Sequence, residues 1–432
     1  MKKLYIVLAA LLCTAMLLAG CGGDRVQEKP EEPFNYDALP FYSADAITSA
    51  SYRYTDAEMA IPYWLGNVMY NESVMFIKNE GGAKATTLFK PLKVLSVRDW
   101  TLKTEYKEGI DYKVEEDGTI SVLPDSSIAV FEDGWQYGIG IPDEYEKVND
   151  ADVTGNKYRV FDCVTGEGDS IGVIYTEGQL IYSYYLNVTY VYDPAQVDYS
   201  KVKTYDNELS GLTKKLQNGE PIKMLVFGDS ISEGCSASKH WGRDPSSPFY
   251  GEIVKNELER LYDANITLYN FSLGGSTSKW GCGLDTSNNG GYNPTKIREL
   301  APDLVIIGFG MNDAGRTNAD DFAANIKMIA DNIRSANPES QIVFLNSYPG
   351  QEYFVNRTAQ KLLRDALEDL SYEYDDATFI DMYTLGLNLF EVKKNYELTV
   401  NGVNHPNDFM HRVYAMNILC SVIDYTALAA NQ

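Results

Sequence analysis

The chain has 432 residues and a formal net charge of -24, and its histidines are His240, His405 and His411. So acidic a molecule repels polyanions, which excludes nucleic-acid binding through a basic face. Three histidines cannot build more than one ordinary zinc site, and no Cys-x-x-Cys or His-x-x-x-His pair supports even that, so no zinc site is expected and the composition calls for no cofactor. The length allows two or three domains on a scale of roughly 100 to 200 residues each.

Lys2 and Lys3 precede an apolar run over 4–18, followed by Ala19, Gly20 and Cys21. Residues 1–20 read as an export leader, because the run is shorter than the roughly 20 residues that span a bilayer. The segment L-A-G-C resembles a bacterial lipobox, which implies cleavage before Cys21 and lipid on its sulfur. The expected product is an exported chain held to the membrane at Cys21 and facing outside. Residues 21–40, including E-K-P-E-E-P, form a charged, proline-broken tether. Four thiols then remain: Cys163, Cys235, Cys282 and Cys420. They are too few for a disulfide framework. Cys235 and Cys282 fall in loops of one face and are either bridged or free.

Residues 41–204 read as strands in short alternating runs separated by turn signals. A hairpin is expected around Asp117-Gly118, and a strand over 180–192, rich in Tyr, Val, Ile and Thr. Regular strands of this kind predict an all-β sandwich, jelly-roll-like. The tyrosines suit sheet edges and faces in any such domain, or alternatively a surface on which sugar rings stack.

Residues 205–432 change texture. Strands are expected over 223–227, 266–271, 304–309, 341–346 and 378–382, and helices over 248–262, 319–336, 358–370 and from Phe409 onward. Such alternation gives a parallel sheet covered by helices on both faces. Function in these sheets gathers where the strands end.

Four segments lie at those ends. Gly228-Asp229-Ser230 follows the first strand and raises a serine above the sheet at a sharp turn. Ser272-Leu273-Gly274-Gly275-Ser276 follows the second, with paired glycines that let backbone N–H groups approach a ligand. Gly310-Met311-Asn312-Asp313 follows the third, and the amide of Asn312 can donate to developing negative charge. Asn404-His405-Pro406 precedes the last helix, which places His405 where it can serve Ser230 as a general base. Asp408 reads as that helix's cap. His411 falls within the helix, to pack or cap, and His240 on a surface loop. Trp241 and Trp280 either rim the cleft or pack its loops.

In this order the four segments resemble the SGNH hydrolases, also called the GDSL family. The resemblance covers about half of the chain and implies a flavodoxin-like α/β/α sandwich preceded by the β-sandwich. It implies that Ser230 is the nucleophile, that His405 is the base, and that the Ser230 amide, Gly275 and Asn312 hold the oxyanion without a metal. The family's histidine follows an aspartate by three residues, whereas Gly402 stands there in this sequence. A Ser-His dyad held by a main-chain carbonyl is one alternative, and Asp381, at the end of the fifth strand, is another. The function expected is a cell-surface serine esterase that removes acetyl or other short acyl groups from carbohydrate, with neutral glycans preferred by so acidic a chain. The competing expectations are a lipid or thioester acylhydrolase of the same family and a non-catalytic carbohydrate-binding lipoprotein.

Overall fold

The computed structural model describes residues 59–285 and 292–425. The leader, the Cys21 anchor and the tether lie outside the described residues. Within them no helix is long and apolar enough to cross a membrane.

In the N-terminal part the strands are Val68–Val74 (β1), Phe76–Asn79 (β2), Gly82–Ala85 (β3), Pro91–Asp99 (β4), Glu105–Tyr106 (β5), Tyr112–Val114 (β6), Ile120–Val122 (β7), Val130–Glu132 (β8), Glu146–Lys147 (β9), Lys157–Val164 (β10), Ser170–Tyr175 (β11) and Leu186–Tyr192 (β12). They form sheets ordered β1-β12-β4-β5, β6-β7-β3-β2-β8 and β11-β10-β9. Pairing is antiparallel except for β2 with β8 and β9 with β10. The expected hairpin is β6–β7, whose turn Gly118 enters at φ +92°. The strand expected over 180–192 is shorter: a 3-10 turn at Tyr182–Tyr184 precedes β12. Leu180, Ile181, Tyr182 and Tyr185 all enter one core cluster. Consecutive residues cannot all face one side of a two-residue repeat, so the chain coils there.

The C-terminal part holds Ile222–Gly228 (β13), Ile266–Asn270 (β14), Leu304–Gly308 (β15), Gln341–Leu345 (β16) and Ala377–Ile380 (β17) in one parallel sheet ordered β14-β13-β15-β16-β17. This is the doubly wound order 2-1-3-4-5, in which ligands bind where the strand order reverses, beside the first and third strands. β15 is buried throughout, as a strand covered on both faces must be.

The helix Ala319–Ala336 shows how the sequence sets such an element. Asn318 caps it, accepting from the Asp321 N–H at 2.8 Å, while Asp320 and Asp321 occupy the positive first turn. Phe322, Ile326, Ile329 and Ile333 fall on one face and pack on Val305, Ile307 and Phe344 of the sheet. Each such side chain, once buried, contributes about 1.5–3 kcal/mol. Asn337-Pro338 stops the helix.

The described residues all belong to one compact unit. The cluster containing Phe131, Trp135, Ile174 and Tyr185 in the β part also takes in Val400 from the loop before the last helix, Asp408–Leu419. That helix lies against β1, where Arg412 donates to the carbonyls of Tyr70 and Asn71 at 3.0 and 2.6 Å. Beneath the seam, buried Lys393 pairs with buried Glu72 and donates to the carbonyls of Ser73 and Thr86. Breaking one partner of such a pair strands a charge in the interior, so the seam resists opening.

Candidate active site

The sharp turn after β13 is steric in origin. A Cβ on Gly228 would lie 2.1 Å from the Gly308 carbonyl oxygen and 2.5 Å from Ser232 Oγ, so only glycine fits between β13 and β15. Asp229 caps the short helix Ser230–Glu233 through its Oδ1, which accepts from the Ile231 N–H at 3.0 Å. Ser230 therefore stands at the helix start, above the point where the strand order reverses.

The second segment folds onto the first. The N–H of Leu273 and the hydroxyl of Ser276 donate to the Gly228 carbonyl at 3.1 and 3.2 Å, and the Gly274 N–H donates to Glu233 at 2.6 Å. Gly275 follows at φ +75°, a conformation glycine takes without steric cost. The third segment is tied in turn, because Asn312 Nδ2 donates to the Ser276 carbonyl at 3.0 Å, which leaves its other amide proton free to point elsewhere. Buried Asp313 receives the N–H and hydroxyl of Ser278, fixing the loop behind it. Among the described residues no protein group accepts from the N–H of Ser230 or of Gly275.

His405 completes the contact. Its Nε2 lies 3.0 Å from Ser230 Oγ. Its loop is shaped by buried Asn401, whose Oδ1 accepts from the N–H groups of Val403, Asn404 and His405 at 3.0, 2.8 and 2.9 Å. The other ring nitrogen, Nδ1, lies 2.9 Å from Oε1 of Glu177. Glu177 follows β11 in the N-terminal part. Its carboxylate also receives the Tyr175 hydroxyl at 3.1 Å and Asn401 Nδ2 at 3.4 Å. The group beside Nδ1 is therefore a carboxylate rather than the main-chain carbonyl that a dyad would use.

The electrostatics follow from these contacts. Burial alone pushes the Glu177 carboxyl up, but His405 and the hydrogen bonds from His405, Tyr175 and Asn401 outweigh it and hold it below the usual value. Burial alone would lower His405, and Glu177 outweighs that too, so the imidazole sits above 6.5. Burial pushes Asp229 up to about 7. His411, fully buried, is driven down to about 3 by burial and donates its Nε2–H to the Cys235 carbonyl at 3.3 Å.

The remaining candidates fall elsewhere. Asp381 caps the helix Met382–Phe390 and pairs with Arg364 at 2.7 Å. Asp408 is not the cap of the last helix; Asn407 is, accepting from the Met410 N–H at 3.0 Å, while Asp408 accepts from the Ser238 N–H at 2.8 Å. Asn and Asp compete for such caps, and here the aspartate is drawn off by the loop that follows Ser230. Cys235 and Cys282 are free thiols. Trp280 is buried against Phe227 and Tyr292, whereas Trp241 is exposed, its ring edge-on to His240. A cavity of about 300 Å³ beside Gly275 is lined by Ser276, Thr277, Lys279, Trp280 and Arg316.

Sequence reasoning did not find Glu177 or Asn401. Glu177 sits in an ordinary T-E-G turn far from the other site residues in the chain. Its one signal was indirect: Gly402 stands where the family's aspartate would be, so a carboxylate, if present, had to arrive from elsewhere. Asn401-Gly402 was visible as a turn-forming pair, without a hint of what the turn would hold.

Residues 226–413 match the family model of the GDSL-like lipase/acylhydrolases. No curated protein sequence matches the chain. Among solved structures, the chain is similar to a two-domain esterase active on acetylated mannans, with 18% identity over 54% of this chain and 56% of that one and a TM-score of 0.38. The chain thus spans little more than half of that protein's length. It is also similar to an acetylxylan esterase from Geobacillus stearothermophilus, with 17% identity over 47% of this chain and 95% of that one and a TM-score of 0.36. The α/β part of this chain, with Ser230 and His405 in contact, is thus similar to the GDSL-like lipase/acylhydrolases over residues 226–413.

Proposed function

We propose that the protein is a serine esterase that removes acetyl or other short acyl groups from carbohydrate, and that it works outside the cell on a lipid anchor at Cys21. The observation that carries the esterase chemistry is the 3.0 Å contact between Ser230 Oγ and His405 Nε2 at the reversal point of the sheet. As Oγ bonds to the ester carbonyl carbon, its proton passes to Nε2. The carbonyl oxygen becomes an oxyanion, met by the N–H groups of Ser230 and Gly275 and the amide of Asn312. When the tetrahedral intermediate collapses, the bond to the alcohol oxygen breaks and Nε2–H protonates it. Water, deprotonated by His405 in the same way, then releases the acid and restores Ser230.

The carbohydrate reading is supported by the lining of the cavity beside Gly275. Apart from Trp280 it is built from hydroxyls, glycine and charged groups, which suit a hydroxylated substrate better than an alkyl chain. Anchoring and export are supported by the sequence L-A-G-C ending at Cys21.

The test is hydrolysis of acetyl and octanoyl p-nitrophenyl esters and of acetylated oligosaccharides by the native protein and by Ser230→Ala. The expected result is acetyl preference and acetate release from the oligosaccharide, with about a 10⁴-fold or greater loss in the variant. Octanoyl preference would replace carbohydrate by lipid as the substrate. Full activity in Ser230→Ala would remove the mechanism. For the anchor, radiolabelled palmitate incorporated by the native chain and not by Cys21→Ala is expected; equal labelling would remove it.

A further inference from the structure

We propose that the β part of the chain completes the active site: Glu177, delivered by the turn after β11, is the residue that positions His405 and holds its charge. The proposal rests on the serine-esterase reading above and goes beyond it, since the α/β part alone contains no carboxylate in this place.

Three independent features converge on Glu177. The first is its contact, 2.9 Å from the ring nitrogen of His405 that faces away from Ser230, with both side chains largely shielded from water. The second is a latch. Arg243, from the loop that follows the nucleophile, donates Nη2 to the Glu177 carbonyl at 2.7 Å and Nη1 to the Gly178 carbonyl at 3.0 Å. On the other side the Thr176 N–H donates to the Asn401 carbonyl at 3.3 Å, and the Glu177 N–H to Val153 at 3.0 Å. The turn is therefore gripped by the loop bearing Ser230 and by the loop bearing His405. Asn401 joins them directly, since one side chain holds both the His405 backbone and the Glu177 carboxylate.

The third feature is the exclusion of the usual alternative. Gly402 has φ +77°, where side chains are strained, and a Cβ there would lie 2.7 Å from the Ile174 carbonyl oxygen and 3.0 Å from Ile174 Cγ2. Ile174 belongs to β11, the same strand that delivers Glu177. The strand occupies the space an aspartate at 402 would need, and brings the replacement carboxylate with it.

In the reaction Glu177 stays ionised. Its carboxylate, 2.9 Å from Nδ1, favours the tautomer with the proton on Nδ1, which leaves Nε2 free to take the Ser230 proton, and offsets the positive charge while the imidazolium exists. The charged or titratable groups around the ring are Glu177, Asp229 and Glu233, with His411 held neutral nearby. Because the working base is the neutral ring, activity rises with pH through the pKa of His405. Removing Glu177 takes away the largest influence that raises it.

The experiment compares Glu177→Gln, Glu177→Ala and Ser230→Ala in the full chain by pH profiles of kcat and kcat/KM on an acetyl ester. Glu177→Gln is expected to lose about 10²- to 10⁴-fold in kcat, with KM changed little and the acidic limb moved to lower pH. Glu177→Ala is expected to regain at least tenfold with added formate, a carboxylate small enough for the space vacated. Kinetics of Glu177→Gln within threefold of native, with an unmoved acidic limb, would overturn the proposal while an inactive Ser230→Ala left the esterase reading intact. A loss in both Glu177 variants with an unmoved limb and no formate response would also overturn it, because that is the pattern of a structural role. Full activity in Ser230→Ala would instead overturn the underlying reading.

Discussion

The β part and the α/β part place functional residues by different rules. In the α/β part Ser230, Gly275 and Asn312 follow strand ends, and His405 reaches them from the loop before the last helix, because a parallel doubly wound sheet collects its loops at one edge and its strand order reverses beside β13 and β15. In the β part no such rule applies, and Glu177 arrives in a turn whose position depends on the packing of β11 against the loop carrying Gly402. A periodic fold thus broadcasts its site through local pattern, whereas a residue inserted across a seam has meaning only in three dimensions.

Substitutions on the two sides of the seam can break or sharpen this contrast. After Ser230→Ala and Glu177→Gln, the largest effect is expected at Asn312, whose function lies within the α/β part. Asn312→Ala should cost about 10²- to 10³-fold in kcat with little change in KM, measured by steady-state kinetics; a loss confined to KM would assign the amide to ground-state binding. Gly402→Ala probes the seam itself. The left-handed conformation costs about 1–2 kcal/mol for a residue with a Cβ, and the Ile174 carbonyl adds a clash. Denaturant unfolding should show a loss of about 2 kcal/mol or more, and an unchanged midpoint would mean that the strand yields. The smallest effect concerns His411. Its folded pKa of about 3 lies below the ordinary 6.5, so the unfolded chain binds a proton the native one refuses. Its contribution is complete above 6.5 and is lost as pH falls from there toward 3. His411→Gln should flatten the decline in unfolding midpoint over that window, and parallel curves would show that His411 charges in the native state.

Most of the α/β part was readable because its helices repeat at 3.6 residues and its central strands are short, continuous apolar runs. The helix expected over 319–336 coincides with Ala319–Ala336, and the strands lie within two residues of their expected ends. The expected strand over 180–192 failed where a run of apolar residues turned into the core instead of alternating. The segments holding Ser230, Gly275, Asn312 and His405 stand out in the sequence through their glycines and turn formers, and the structure brings Ser230 and His405 within 3.0 Å. Asp408 was misread as a cap because Asn407 and Asp408 are adjacent and both cap well; only the Ser238 N–H decides between them. Glu177 was unreadable because nothing within its own segment separates it from any other turn carboxylate, although it is buried in the fold.

With only three histidines in the chain, nitrogen-15 NMR of the histidine rings measures the central claim directly. If the β part sets the charge of the His405 ring, its titration lies above 6.5 in the native protein and moves to lower pH in Glu177→Gln, where only Asp229 and Glu233 are left to oppose burial. A His405 titration that is the same in both proteins would contradict the account.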